Sequence, residues 1–307
     1  MSALLEVDPV THLRSVPVDA SPPPGGRDQE RLRLGVSQGL LALSLLLVWA
    51  LLYLFVLSGL EQGRTQAALY EQLRSELAEG TAPTAAPIAP GRPVALLSLP
   101  DIGVKDLVVV EGSRPAELQD GPGHVLGSVL PGQQGISVVA GRSLSFGAPF
   151  EKISELSAGD KITVTTGQGV FVYDVLGPRT KGDPVPPALT EGAARLTLVS
   201  SVRGSGAGGL QASQTVYVDA TLAQGAVSAS PVATKDLGNK LMSAGADPAS
   251  LALLALTLQL LVAALAAFAW AWGRWSRAAA WVAAAPCVLA ALWLVSSIGS
   301  RLLPGLI

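Results

Sequence analysis

The chain has 307 residues and is nearly neutral, with 21 lysines and arginines against 23 aspartates and glutamates. This balance gives no reason to expect a nucleic-acid partner. The mean hydropathy of +0.44 is high for a wholly soluble protein, so part of the chain is predicted to lie in a membrane.

The first 34 residues predict a disordered cytoplasmic tail. They are rich in proline and small polar residues, as in the stretch SPPPGGRDQ, and they lack apolar periodicity. A tail without partners and a docking motif are both compatible with this composition.

Three apolar runs without charged residues predict three transmembrane helices, at residues 35–60, 249–273 and 278–300. Each run approaches the ~20 residues that an α-helix needs to cross the hydrocarbon core of a bilayer. All six tryptophans lie in or beside these runs, as expected of rings that favour the membrane interface. The only cysteine, Cys287, lies inside the third run and is badly placed to be a water-facing nucleophile.

Basic residues near the runs predict the orientation. Arg27, Arg31 and Arg33 precede the first run, and Arg274 and Arg277 lie in the short turn between the second and third. By the positive-inside rule both places are cytoplasmic, so the N-terminus is cytoplasmic. The segment between the first and second helices, and the C-terminus, are then predicted to lie outside the plasma membrane.

Residues 61–93 predict a helical stalk followed by a spacer. Leu69, Leu73 and Leu77 are spaced to share one helix face, and Gly80 is expected to end the helix. The proline-rich stretch at 81–93 then predicts an extended connection that holds the next domain off the bilayer.

Residues 94–222 predict a β domain, and residues 223–248, rich in alanine, serine and glycine, predict a second linker. Short apolar runs punctuated by glycine and proline indicate strands, and Gly167-Gln168-Gly169 predicts a hairpin turn. The seven runs are Val94–Leu99, Leu107–Val110, Ile136–Ala140, Lys161–Thr166, Val170–Leu176, Arg195–Ser200 and Thr215–Ala220. Seven strands in so short a segment favour a closed or nearly closed barrel, because open edges would need protection.

Several motifs in this β domain stand in the order found in one enzyme family. They are Leu99-Pro100-Asp101-Ile102-Gly103-Val104, Val110-Glu111-Gly112, Gly121-Pro122-Gly123-His124, Pro131-Gly132-Gln133-Gln134-Gly135, Gly147-Ala148-Pro149-Phe150, Leu156-Ser157-Ala158-Gly159-Asp160 and Leu196-Thr197-Leu198-Val199. With them, the segment resembles a sortase, a membrane-anchored cysteine transpeptidase of Gram-positive bacteria, and most resembles the class E sortases of high-GC members.

The resemblance implies an eight-stranded β-barrel outside the membrane and a reaction that uses three residues. A cysteine attacks the peptide bond of a sorting signal similar to LPXTG, and an amine resolves the resulting thioester. A histidine and an arginine assist. Neither a cofactor nor a metal is predicted.

The chain departs from the family pattern at all three catalytic positions. Arg142 stands where the family has its histidine, and Ser201 stands where it has its cysteine. The family's arginine aligns with Ser213 or Gln214, and we take Gln214 as the corresponding position.

Two residues are candidate substitutes for the missing groups. A serine hydroxyl is a weak nucleophile without a neighbouring base, and the permanent cation of Arg142 cannot be that base. His124 is the only histidine between the first and second apolar runs, but its motif position also carries histidine in active relatives, where it is not catalytic, which favours a structural role. Arg203 could replace an oxyanion donor, although a solvated loop charge is the commoner fate of such an arginine.

Arg142 and Arg203 are expected to border the former catalytic cleft, where two positive charges would suit a carboxylate or phosphate. The alternative, which we favour, is that they pair with Glu111, Asp183 or Glu191.

Three functional hypotheses follow. The first is a non-catalytic pseudo-sortase that binds a surface protein with a sorting signal, another sortase or a different assembly partner. The second is a divergent transpeptidase or hydrolase that uses Ser201. The third is a structural subunit of a membrane complex, suggested by the two C-terminal helices, which a single-anchor sortase lacks.

Overall fold

A computed structural model of the protein describes residues 24–203, 212–222, 225–229 and 248–302. Most of the predicted tail and most of the predicted linker 223–248 lie outside these ranges. The chain divides into two compact units, Met1–Trp49 and Ala50–Ile307. Helix α1 spans Pro24–Leu52, so residues 24–34 are helical rather than part of a coil. Their sequence, PGGRDQERLRL, supplies helix-forming side chains after an initial proline.

The larger unit is built on a closed barrel of eight strands. They are β1 (Pro93–Leu99), β2 (Val104–Glu111), β3 (Gly123–His124), β4 (Gly135–Ala140), β5 (Lys161–Thr166), β6 (Gly169–Thr180), β7 (Ala194–Arg203) and β8 (Ala212–Leu222). Their order around the barrel is β1-β2-β3-β4-β7-β8-β6-β5, and β5 pairs with β1 to close it. The β2–β3 and β4–β7 pairs are parallel and the others antiparallel.

The predicted barrel is confirmed, and each of the seven predicted runs forms a strand. In β5, Ile162 and Val164 face the core while the residues between them are more exposed, which is the period of two that predicted this strand. The turn at Gly167 and Gln168 connects β5 to β6 as expected, with Thr166 opposite Gly169. The eighth strand, β3, has two residues, too few for a periodicity signal.

Helix α2 (Ser58–Glu79) follows α1 through a π-helical turn at Tyr53–Leu57. It ends at Gly80, which adopts the left-handed conformation with φ of 68°, as predicted. Leu73 is fully buried in a cluster with Ala82 and Val108. The predicted stalk helix is therefore packed against the barrel and contributes to its stability.

Polar contacts fix the same helix against the barrel. Gln66 donates through Nε2 to the carbonyls of Val108 at 3.1 Å and Asp120 at 2.7 Å, and its Oε1 accepts from the Val108 amide at 2.9 Å. In the following connection, the Thr84 carbonyl accepts from Gln133 at 3.0 Å. The proline-rich stretch thus contacts the barrel surface, at least at this point.

Two long helices, α4 (Pro248–Arg274) and α5 (Arg277–Gly299), form an antiparallel pair. Residues 300–302 continue as a short 3-10 turn. Together with residues 35–79, these segments give three helices that are long and apolar enough to cross a membrane, within the described part of the chain. Phe268, Trp272 and Trp281 form an edge-to-face aromatic cluster near the turn between α4 and α5.

The end of α5 and the turn that follows it contact Gln119 and the start of α2. Gln119 donates to the Ser300 hydroxyl at 2.8 Å, and the Ser297 hydroxyl donates to Glu61 Oε1 at 3.3 Å. Tyr53 packs edge-on against Trp293, and its hydroxyl donates to Glu61 Oε2 at 2.9 Å. Glu61 therefore connects the start of α2 to the end of α5.

Candidate functional site

The parallel pairing of β4 with β7 brings the predicted positions together. Ala140 at the end of β4 lies opposite Val199 in β7, so Arg142 and Ser201, each two residues further on, follow at the same end of the barrel. Gln214 on β8 pairs with Val202, the neighbour of Ser201. We call Arg142, Ser143, Ser145, Ser200 and Ser201 the serine corner.

The guanidinium of Arg142 is fully buried and binds acceptors in three directions. Nε donates to the Leu118 carbonyl at 3.1 Å, Nη1 to Ser145 Oγ at 3.1 Å and Nη2 to the Pro115 carbonyl at 3.0 Å. Its Cζ lies 4.9 Å from the centre of the Phe146 ring, a favourable cation–π distance.

Burial lowers the pKa of Arg142 to about 10, because a low-dielectric surrounding disfavours the charged form. The side chain still carries its proton at neutral pH, so it has no lone pair to accept one. Arg142 was expected to border the former catalytic cleft, and in the structure its charge is buried, with donors directed to the segment at 115–118.

The hydroxyl of Ser201 lies in the same enclosed corner. Ser201 is 3% exposed, and its Oγ lies 2.5 Å from the Oγ of Ser143, which is 1% exposed. Ser200 is fully buried, and its hydroxyl donates to the Gly141 carbonyl at 2.8 Å. The serine corner is a closed hydrogen-bonded cluster.

His124, the first candidate substitute, is bound elsewhere. Its Nδ1 lies 2.8 Å from Glu111 Oε2, and its Nε2 lies 2.9 Å from both the Val129 carbonyl and Ser128 Oγ. In the strand register His124 is opposite Val139, which pairs with Leu198. Ser201 lies three residues beyond Leu198 in β7, which corresponds to roughly 10 Å along the strand. The structure does not bring His124 and Ser201 together.

The remaining predicted partners also have separate roles. Glu111 is bound to His124 at 2.8 Å. Asp183 accepts from the Thr180 amide at 2.7 Å and the Thr180 hydroxyl at 2.9 Å, and these bonds lower the pKa of Asp183. Arg203 ends β7, and its side chain lies outside the described residues, whereas Gln214 is exposed. Arg142 itself donates to two backbone carbonyls and to the Ser145 hydroxyl, and its pairing with Glu111, Asp183 or Glu191 stays a prediction.

A second polar region was missed by sequence reasoning. A cavity of about 260 Å³ lies beside the serine corner, and we call it the acidic cavity. The lining residues are Glu61, Thr65, Pro90, Gly91, Ala116, Glu117, Gln119, Asp120, Phe146 and Arg301. They come from α2, the connection before β1, helix α3 (Glu117–Asp120), the segment after β4 and the end of α5. No local motif links residues so far apart in the chain.

The acidic cavity is electrostatically unbalanced. Burial raises the pKa of Asp120, and the nearby carboxylates of Glu117 and Glu61 raise it further, with Arg301 acting in the opposite direction. Glu117 is 7% exposed, and its Oε1 pairs with Arg114 at 3.0 Å. Its Oε2 is buried and has no hydrogen-bond partner in the described part of the chain. Within the described ranges, no group of three or more His, Cys, Asp and Glu side chains forms a metal-binding cluster.

Comparison with known proteins shows which domain the barrel resembles. Residues 97–204 match the model of the family described as "Sortase domain", so this part of the chain is similar to sortase domains. The match begins in β1 and ends just after β7, and it includes the serine corner.

Particular sortases are similar to part of this chain. The chain is 29% identical to sortase D of Bacillus subtilis over 86 residues, which are 28% of this chain and 41% of that protein. Among solved structures, the Clostridium perfringens sortase D5 transpeptidase is 22% identical, with a TM-score of 0.43, and the match covers 52% of this chain and 99% of that one. Sortase E of Streptomyces avermitilis is 26% identical, with a TM-score of 0.37, over 45% of this chain and 91% of that one.

Proposed function

We propose that this protein is a non-catalytic sortase homologue, most similar to class E, on the outer face of the plasma membrane of a Gram-positive cell. In this function the barrel binds a surface protein with a sorting signal, another sortase or a different assembly partner. The N-terminus is cytoplasmic, and the sortase domain and the C-terminus lie outside the membrane.

The observation that carries the proposal is the arrangement of the serine corner. A nucleophilic serine needs a neighbouring group that accepts its proton. The Oγ of Ser201 lies 2.5 Å from the Oγ of Ser143, and Arg142 of the same corner is a cation. Neither a neutral hydroxyl nor a guanidinium is an effective base.

Burial supports the same proposal. A peptide carbonyl must approach within about 3 Å of the attacking oxygen for reaction, but Ser201 is 3% exposed and Ser143 is 1% exposed. His124, the alternative base, is held by Glu111 and Val129. A peptide would reach Ser201 only if the serine corner opened.

The test is a transpeptidation assay on the full chain with peptides that carry cell-wall sorting signals and an amine acceptor. We expect no turnover above that of a Ser201→Ala variant. Robust turnover that Ser201→Ala abolishes would defeat the proposal and establish the divergent enzyme. Mass spectrometry gives an independent readout, because that enzyme would accumulate an ester on Ser201.

A second function, structural subunit of a membrane complex, is favoured by the contacts between the C-terminal helices and the barrel unit. Gln119 binds Ser300 and Glu61 binds Ser297, so these helices are coupled to the domain. Deleting residues 249–307 separates the two functions. If co-purifying partners are retained, the barrel binds them; if they are lost while the barrel stays folded, the helices do.

A further inference from the structure

Among the residues that the structure describes, the acidic cavity has one buried acceptor and one buried donor without hydrogen-bond partners. They are Oε2 of Glu117 and Nε of Arg301. Both residues line the cavity. A buried polar atom without a partner is costly and uncommon in native structures, so a ligand that donates at one end and accepts at the other would satisfy both.

The charges of the lining side chains indicate which chemical groups the two ends of that ligand carry. Glu61, Glu117 and Asp120 supply three carboxylates against the single guanidinium of Arg301. The exposed Arg114 pairs with Glu117 Oε1 from outside the lining. A cationic donor fits the carboxylates, and an anionic acceptor fits Arg301, where phosphate binding is favoured by the guanidinium geometry.

The volume is sufficient for a small charged group. A cavity of about 260 Å³ has space for several water-sized atoms. An ammonioethyl phosphate group has about eight non-hydrogen atoms and carries both charges, so it is small enough to enter such a cavity.

The position of the cavity relative to the apolar segments indicates where such a ligand comes from. Glu61 directly follows the apolar run that ends at Leu60, and Arg301 directly follows the run at 278–300. The ends of these runs are joined by the bond between Ser297 and Glu61. Leu60 and Leu294, beside these ends, are exposed. Two membrane-spanning segments that end at the same level place the cavity at the depth of lipid headgroups.

We propose that the acidic cavity binds the headgroup of a phospholipid with a primary ammonium group, of the phosphatidylethanolamine type. The ammonium lies among Glu61, Glu117 and Asp120, and the phosphate lies at Arg301. This site is separate from the serine corner, so it does not depend on whether Ser201 is catalytic.

The first experiment measures lipid binding to the full chain in detergent by native mass spectrometry. The probes are phosphatidylethanolamine, phosphatidylcholine and phosphatidylglycerol with identical acyl chains. Phosphatidylcholine keeps both charges but has no N–H donors, and phosphatidylglycerol has no cation. We expect phosphatidylethanolamine to bind about tenfold more tightly than either, the scale of one or more hydrogen bonds to a charged group.

The second experiment uses variants of the lining. Glu117→Gln and Arg301→Gln should each lower the affinity for phosphatidylethanolamine by about tenfold, and Asp120→Asn gives an independent test if Glu117→Gln fails to fold. Glu71→Gln is the matched control, since Glu71 is exposed on the same helix as Glu61. It should leave the affinity unchanged, and so should Ser201→Ala.

Specific outcomes would overturn the proposal. Equal affinity for phosphatidylethanolamine and phosphatidylcholine would exclude recognition of the ammonium, and a preference that survives the lining variants would place the site elsewhere. Tight binding of soluble phosphoethanolamine without a lipid preference would assign the cavity to a soluble ligand. Binding of an amine-bearing peptide without a lipid preference would assign it to a protein partner.

Discussion

The serine corner and the acidic cavity are neighbouring polar regions that differ in how their buried groups are satisfied. Phe146 lies between them: its ring faces the guanidinium of Arg142 at 4.9 Å and also lines the cavity. Arg142 binds an acceptor through each of its three nitrogens, whereas Nε of Arg301 has no acceptor among the described residues. An arginine thus stabilises the fold through its hydrogen bonds in the serine corner, and an arginine presents an unsatisfied donor in the acidic cavity.

This difference distinguishes buried polar groups that stabilise the fold from buried polar groups that can bind a ligand. A buried polar cluster whose groups bind one another needs no further molecule, and it stabilises one arrangement of the chain. A buried cluster with unmatched donors, acceptors and charge lowers its free energy when a complementary group enters. Removing a side chain should therefore affect mainly stability in the serine corner and mainly binding in the acidic cavity.

The largest expected effect is that of Arg142→Ala. The substitution removes a buried side chain and leaves the carbonyls of Leu118 and Pro115 without their donor, at a cost of about 3–5 kcal/mol in the free energy of unfolding. Denaturant unfolding of the full chain in detergent measures it. Arg92→Ala is the control, because Arg92 is 44% exposed and its pair with Glu76 is worth about 0–1 kcal/mol. Similar losses in both variants would contradict the structural role of Arg142.

The next largest effect is expected at Gly147, the residue after Phe146. Gly147 has φ of 69°, and a Cβ there would lie 2.1 Å from Gln62 Oε1 on α2. Gly147→Ala should cost about 1–2 kcal/mol, because backbone strain is combined with a shift of the flexible end of the Gln62 side chain. Gly159→Ala isolates the strain, about 1 kcal/mol, since Gly159 has φ of 98° in open space. Equal melting temperatures for the two variants would mean that the contact with α2 is not tight.

The fold was largely predictable from the sequence because apolar runs and turn residues report on their own segment. Ile162 and Val164 alternate with polar neighbours, and Gly80 ends a helix face marked by Leu69, Leu73 and Leu77. The two-residue strand β3 was not predictable, since its pairing with β2 and β4 depends on the closed barrel.

The candidate site was only partly predictable. Motif order predicts that Arg142 and Ser201 correspond to the histidine and cysteine of the sortase pattern. The parallel pairing of β4 with β7 brings both residues to one end of the barrel. The carbonyls that hold Arg142 belong to Pro115 and Leu118, and backbone acceptors leave no compositional signal. The acidic cavity joins Glu61 to Arg301 across the whole domain, a proximity that only the tertiary structure creates.

A smaller effect is expected for Ser201→Ala. The change removes one partner of the hydrogen bond between Ser143 and Ser201, with a cost of about 1 kcal/mol. Ser157→Ala, at an exposed position, should change stability by less than about 0.5 kcal/mol. Thermal unfolding of both variants checks this. A gain in stability for Ser201→Ala would show that Ser201 is held in a strained arrangement, as active sites often are.

The smallest expected effect is a change in pH dependence for Asp120→Asn. Burial and the nearby Glu117 and Glu61 raise the pKa of Asp120 above its ordinary value of 3.8. The native state therefore binds the proton more tightly than the unfolded state, and stability falls as the pH rises from about 3.8 through the raised pKa. Asparagine cannot titrate, so the variant should lack this decrease and be the more stable protein, relative to the wild type, at neutral pH.

The melting temperatures of wild type and Asp120→Asn, compared from acid to neutral pH, measure the contribution of Asp120 to this pH dependence. Asp101→Asn, at an exposed position, is the control. Adding phosphatidylethanolamine should flatten the wild-type curve, because a bound ammonium stabilises the ionised carboxylate. Parallel curves for wild type and Asp120→Asn would mean that the cavity imposes no charge imbalance on Asp120. The acidic cavity would then be electrostatically balanced like the serine corner, and its need for a cationic ligand would disappear.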